Sequence, residues 1–162
     1  MAWEVDFEQL DIKFRALQKA LHPDRYATKN DFEKRLAVQT AATINQAYQT
    51  IKNPLSRAQY LLELENLDAS QETHVTSDGQ FLMEQMLLRE ALSEVRGNEN
   101  AKQSLVSLSI EAQQNAAKIQ SDFANQYQQK AYNKAFDSLA KMQFAIKFID
   151  DIKALEAELE DL

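Results

Sequence analysis

Only two glycines and two prolines occur in 162 residues, and that scarcity restricts the fold more than any other feature of the chain. Average usage is about 7 % Gly and 5 % Pro, and the turns of a sheet protein draw heavily on both. Long helices need neither, and the chain is rich in Ala, Leu, Gln, Glu and Lys, all good helix formers. An all-α fold is expected. Glycine-rich loops that cradle phosphates are excluded on the same ground. The chain has no Cys, so disulfides, thiolate nucleophiles and Cys-based zinc or iron–sulfur sites are excluded as well. It opens without an apolar signal segment, and no run of about eighteen apolar residues could span a bilayer. The expectation is a soluble, cytoplasmic protein of one or two domains with no membrane partner.

Periodicity divides the chain. Phe7, Leu10, Phe14, Leu17 and Leu21 recur at spacings of three and four, one stripe of an amphipathic helix with Asp6 placed to cap it. Pro23 ends that helix, because the residue before a proline is pushed out of the α region. A polar loop to about Asn30 leads to a second helix over 31–53, with Phe32, Leu36, Ile44, Ala47, Tyr48 and Ile51 on its apolar side. Two such helices with a short link predict an antiparallel hairpin. Pro54 opens a shorter helix through Leu64. The polar stretch 66–78 predicts a linker between a domain at 1–65 and another at 79–162. In the second domain, segments 80–96, 98–127 and 130–161 predict an antiparallel three-helix bundle, with Gly97-Asn98 as a left-handed helix stop.

The charge is uneven. Residues 1–65 carry nine basic and nine acidic side chains, while 66–162 carry nine basic and sixteen acidic and hold the whole net charge of −7. Lys13, Arg15, Lys19, Arg25, Lys29, Lys34 and Arg35 face only Asp24, Asp31 and Glu33, so the hairpin has a local basic excess. Phosphate affinity scales with the number of neutralised contacts, which makes an acidic chain with one compact basic patch a poor nucleic-acid binder. The patch suits an acidic protein partner; a plain solvated helix face is the alternative.

Catalysis has little to work with. His22 and His74 are the only histidines, and neither a Ser-His-Asp order nor a metal-ligand spacing such as His-Glu-x-x-His is present. Glu156, Glu158, Glu160 and Asp161 read as a solvated helix end, and His74 as a surface residue of the linker. No enzyme activity, cofactor or metal is expected.

One tripeptide stands apart. His22-Pro23-Asp24 would arise by chance in about one chain in a hundred of this size, from average residue usage. It falls in the loop of the hairpin, after a helix bearing Lys13, Arg15 and Lys19 and just before Arg25. This resembles the J-domain, whose His-Pro-Asp loop binds and stimulates DnaK-class chaperones. Ala42-Thr43-Ile44-Asn45-Gln46-Ala47-Tyr48 and Asn53-Pro54-Leu55-Ser56-Arg57-Ala58-Gln59-Tyr60-Leu61-Leu62 are similar to the HscB subfamily, the J-domain co-chaperones of iron–sulfur cluster assembly. Phe81-Leu82-Met83-Glu84-Gln85-Met86 and Leu88-Arg89-Glu90 are similar to the second domain of that subfamily. The resemblance implies an N-terminal J-domain joined to a C-terminal three-helix bundle. The chain departs from the family in two places. Only six residues precede Phe7, so the Tyr-Phe-containing first helix of the family has no counterpart and the J-domain core is expected to lack part of its cover. Leu87 stands where some relatives carry an acidic residue, which implies a more apolar client surface.

What the resemblance implies is allosteric. His22, Pro23 and Asp24, with Lys13, Arg15, Lys19 and Arg25, would engage an ATP-loaded chaperone of the HscA type. The second domain would hold the scaffold protein IscU through Leu82, Met83, Met86, Glu90 and Phe144. Two other readings are a non-chaperone helical adaptor and a general J-protein for unfolded clients. The first predicts no effect on a chaperone's ATP turnover; the second usually needs Gly/Phe-rich or β-rich segments that are absent here.

Helical geometry separates core from surface in the second domain. At about 100° per residue, Phe81, Leu88, Ala91, Leu92 and Val95 share one face, expected to fill the bundle core, while Leu82, Met83, Met86 and Glu90 fall elsewhere. In the last helix Tyr132, Phe136, Leu139, Met142, Ile146 and Ile149 form one stripe. Phe144, Phe148, Ile152, Leu155 and Leu159 lie opposite, and Phe148 through Leu159 are expected to pack against the J-domain. A bundle-core role for the whole client cluster is the competing expectation.

Overall fold

The structure is a computed structural model that describes residues 3–69, 75–95 and 100–160. Every regular element among them is helical: α1 (Phe7–Ala20), a short 3₁₀ turn (Pro23–Tyr26), α2 (Asp31–Lys52), α3 (Pro54–Leu64), α4 (Gly79–Val95), α5 (Ala101–Gln128) and α6 (Tyr132–Glu160). The chain separates into two compact units, Met1–Asn66 and Leu67–Leu162. His74 and the Gly97-Asn98 stop lie outside the described residues, as does Asp161.

The helix ends follow from the side chains at them. Asp6 caps α1 by accepting from the Gln9 N–H at 3.0 Å. Asn30 caps α2, accepting from the Glu33 N–H at 2.8 Å while the Glu33 carboxylate reaches back to the Asn30 N–H at 3.3 Å. This reciprocal pair satisfies two otherwise orphaned donors. Asn53 closes α2 through its own N–H, donated to the Gln49 carbonyl, and opens α3 by accepting from Leu55 and Ser56.

In the N-terminal unit α1 and α2 run antiparallel. Phe14 stacks on Tyr48 with ring centroids 3.8 Å apart. The Tyr48 hydroxyl donates to Asp11 at 2.7 Å, and Lys52 reaches both groups. The Tyr48 hydrogen bond is the main reason the Asp11 carboxyl is held below its ordinary range, and the same hydroxyl chiefly raises Lys52. The seam is narrow. Ala37 is the buried residue of α2, whereas Phe32 and Leu36 are 67 % and 52 % exposed, against the expectation that they face the core. They lie roughly 100° around the helix from the line through Ile44, Tyr48 and Ile51, and neither α1 nor α3, the helices packed against α2, covers that arc. Phe7 and Leu17 are also substantially exposed, and among the described residues no helix precedes Phe7. Arg57 of α3 anchors the entry to α1. Its guanidinium lies 4.3 Å from the Trp3 ring and 5.4 Å from the Phe7 ring, and Nη1 donates to the Ile51 carbonyl at 3.0 Å. Its Nε is buried with no hydrogen-bond partner among the described residues, and burial draws its pKa down.

The second unit is a bundle of α4, α5 and α6. Leu88 and Val95 of α4, Leu105, Leu108 and Ala112 of α5, and Phe148, Ile152 and Leu155 of α6 form one buried cluster. Two expectations are corrected here. Phe148, Ile152, Leu155 and Leu159, expected to pack against the J-domain, belong to the bundle's own core and its edge. The cause is that α6 packs against both α4 and α5, so it is apolar around most of its circumference. On α4 the inward face carries Phe81, Gln85, Leu88 and Val95, with Ala91 exposed. Gln85 stands one turn after Phe81 and goes in, while Ala91 sits about 80° off that face.

Candidate functional site

The His-Pro-Asp tripeptide is built by two helix terminations in succession. Leu21 closes α1 with its N–H on the Leu17 carbonyl, and His22 then turns extended at φ −58° and ψ 134°. Pro23 suits the first position of the 3₁₀ turn, where its missing N–H has no acceptor to lose. The Arg25 N–H donates to the His22 carbonyl at 3.0 Å, closing the turn. His22 Nδ1 lies 3.4 Å from the Asp24 N–H and 3.5 Å from Asp24 Oδ2. These are alternatives, since the first needs a lone pair on Nδ1 and the second a proton. The N–H contact fits the cap of the turn, and it assigns the ring's donor proton to Nε2. The side chains of His22 and Asp24 are 61 % and 91 % exposed.

A groove of about 560 Å³ opens beside the loop, lined by Arg15, Gln18, Lys19, His22, Pro23, Ile44 and Asn45 among others. Arg15 and Lys19 lie one turn apart on α1 and share this face with His22. Lys13 does not. It lies about 200° around the helix from Arg15 and lines a second groove of about 980 Å³ with Leu10, Thr50, Arg57 and Tyr60. The expected basic patch is therefore split between two faces, and Arg25 is exposed on the turn itself. Ile44 and Asn45 were not among the sequence candidates for this site. Their signal was available, because positions 41, 44 and 45 fall on one side of α2.

The other candidate surface lies on α4 and α6. Met83 and Met86 are 59 % and 67 % exposed, with Leu87 at 57 % extending the same strip and Glu90 exposed beyond it. Leu82 and Phe144 are half-buried. Phe144 meets Phe81 edge-on with centroids 6.0 Å apart, which sets the start of α4 beside this part of α6. Beneath them, Lys141 Nζ lies 2.7 Å from Asp78 Oδ2 and 2.9 Å from Asp137 Oδ2. Burial works against the charge on Lys141, but the two carboxylates prevail and raise its pKa, while the Lys141 hydrogen bond is the chief cause that lowers Asp78. Among the described residues no group of three His, Cys, Asp or Glu is placed to hold a metal ion, and no helix is long and apolar enough to cross a membrane.

Comparison with known proteins gives a consistent set of relatives. A family model described as the HSCB C-terminal oligomerisation domain matches residues 77–153. The co-chaperone protein HscB of Proteus mirabilis (strain HI4320) is 35 % identical over 159 residues, which span 98 % of this chain and 92 % of that protein. The solved structure of chaperone HscB from Vibrio cholerae is similar with a TM-score of 0.86 at 36 % identity, covering 98 % of this chain and 93 % of that one. Human co-chaperone protein HscB gives a TM-score of 0.85 at 26 % identity, covering 96 % of this chain and 77 % of that one.

Proposed function

The chain belongs to the HscB co-chaperone family, and from that premise we propose that it stimulates the ATPase of a DnaK-class chaperone of the HscA type and delivers to it an iron–sulfur scaffold protein of the IscU type. The observation that carries the proposal is the exposed His22-Pro23-Asp24 turn at the end of the hairpin, beside a groove edged by Arg15 and Lys19. Pro23 fixes the local backbone, so His22 and Asp24 meet a partner with little ordering cost. Stimulation then needs contacts that favour the hydrolysing state of the chaperone over its resting state. Arg15, Lys19 and Arg25 supply attraction to an acidic chaperone face, and Lys13 contributes from the opposite side.

The client side of the proposal rests on Leu82, Met83, Met86, Glu90 and Phe144. Exposed methionines adapt to irregular partner surfaces, and the half-buried aromatic Phe144, held edge-on to Phe81, gives a fixed anchor. The protein acts in the cytoplasm, performs no bond chemistry of its own and carries neither cofactor nor cluster. It binds no nucleic acid and no membrane.

A steady-state ATPase assay with an HscA-type chaperone, with and without the IscU-type scaffold, tests the reading. The parent protein is expected to raise turnover in both conditions, and more with scaffold present. His22→Gln and Asp24→Asn are expected to abolish the increase while helix content by circular dichroism and scaffold binding are retained. Stimulation by either variant at the parent level would overturn the proposal.

A further inference from the structure

We infer that Lys141 is the positioning residue of the client surface, an assignment that rests on the α4–α6 reading above and goes further in naming what holds that surface together. The lysine side chain is 20 % exposed and ties three features to one point. The first is the start of α4. Asp78 Oδ1 accepts from the Phe81 N–H at 3.1 Å, capping the helix, while its Oδ2 takes the Lys141 ammonium at 2.7 Å. The second is the rotation of α4 about its axis, because the same ammonium lies 5.5 Å from the centroid of the Phe81 ring and favours that ring facing α6. The third is Phe144, three residues after Lys141 on α6 and edge-on to Phe81.

Leu88, Leu92 and Val95 seat the C-terminal half of α4 in the bundle core, which leaves its first turn to Phe81 and the polar groups around it. The large side chains that α4 buries are Phe81, Leu88 and Val95, with the polar Gln85 on the same face. A turn of about 100° at this end would exchange Phe81 for Leu82 at the contact with Phe144 and swing Met86 inward, off the exposed strip. A second polar tie from α4 to α6 among the described residues, Arg89 to Asp151 at 3.2 Å, has side chains 42 % and 40 % exposed. Lys141 is the better-shielded cation of the two, at 20 % exposed against 42 % for Arg89, although the carboxylates Asp78 and Asp151 are equally exposed at 40 %. Its two carboxylates differ in role. Asp137 shares the helix of Lys141 at i,i+4 and ties nothing to α4, whereas Asp78 joins the two elements.

Calorimetric titration of the full-length protein with an IscU-type scaffold tests this, with thermal melts alongside. Lys141→Met and Asp78→Asn are expected to weaken scaffold binding about tenfold, the size of a lost charge-assisted hydrogen bond. Lys141→Arg keeps the charge and recovers most of the affinity. Asp137→Asn stays within about twofold of the parent, as for an exposed same-helix pair. Phe144→Ala combined with Lys141→Met is no weaker than Phe144→Ala alone, because both act on one surface. Should Lys141→Met fail to fold, Asp78→Asn gives the answer, since its amide oxygen still caps α4. Parent-like affinity of Lys141→Met or Asp78→Asn, while Phe144→Ala binds weakly, would overturn the positioning role and leave the client surface standing. Equal losses from Asp78→Asn and Asp137→Asn would reduce Lys141 to a general stabilising charge and also overturn it. Parent-like binding by Phe144→Ala and Met86→Ala would remove the client surface itself.

Discussion

Met86, Leu82 and Phe144 share a proposed surface but differ in what they give the fold. Met86 is 67 % exposed, so Met86→Ala is expected to change stability by no more than about 0.5 kcal/mol. The same substitution should cost about 1–2 kcal/mol of scaffold binding if the strip is a contact surface. Leu82 and Phe144 are half-buried, and truncating either should lower stability by about 1–2 kcal/mol, roughly half the loss at a sealed core site such as Phe148. Thermal melts and titration on the single variants separate the two effects. A melting temperature for Met86→Ala as low as that of Phe148→Ala would count decisively against the surface reading. The residue scale is also where sequence reasoning was strongest for motifs and weakest for neighbours. His22, Pro23 and Asp24 announce themselves by identity. Arg57 does not, because nothing in its flanking sequence tells that Trp3 and Phe7 fold back over its guanidinium.

At the scale of elements, the helix ends were legible because their caps are local. Asp6, Asn30, Pro23 and Pro54 act within three or four residues of the boundary they set. Faces were less legible, since a face is decided by how many partners a helix has. The stripe from Phe148 to Leu159 is periodic in sequence, yet its burial in the bundle follows from α6 touching both α4 and α5. The hairpin shows the reverse, with Phe32 and Leu36 periodic but left exposed because neither α1 nor α3 reaches their side of α2. The same geometry divides the basic residues, and this yields a prediction for α1. Arg15→Ala and Lys19→Ala, on the loop groove, should each slow association with the chaperone about two- to fivefold, the size of an exposed ion pair of 0.5–1 kcal/mol. Raising salt should mimic them, because exposed charges are screened over about 8–10 Å near physiological strength. Lys13→Ala, on the other groove, should have the smaller effect. Stopped-flow association rates at several salt concentrations provide the check. Equal effects of all three substitutions would mean that the chaperone reads the total charge of α1 and not the face beside His22.

At the scale of the whole molecule, the proposed chaperone-facing site lies in one compact unit and the proposed client-facing surface in the other. Joining two binding modules on one chain raises the local concentration of one partner for the other, and that gain is lost when either module fails. A variant broken at one site alone should therefore interfere with the parent protein instead of being silent. His22→Gln is expected to bind the scaffold normally and to withhold it from the chaperone. Added in about tenfold excess to a reaction with limiting scaffold, it should cut the scaffold-dependent part of the ATPase stimulation to about a tenth by mass action. The scaffold-independent part should fall much less, because the variant competes poorly for the chaperone. Combining His22→Gln with Met86→Ala and Phe144→Ala should relieve the inhibition, since that protein holds neither partner. Persistence of the inhibition with the combined variant would show that the interference does not run through the scaffold, and the division of labour between the two units would then be wrong.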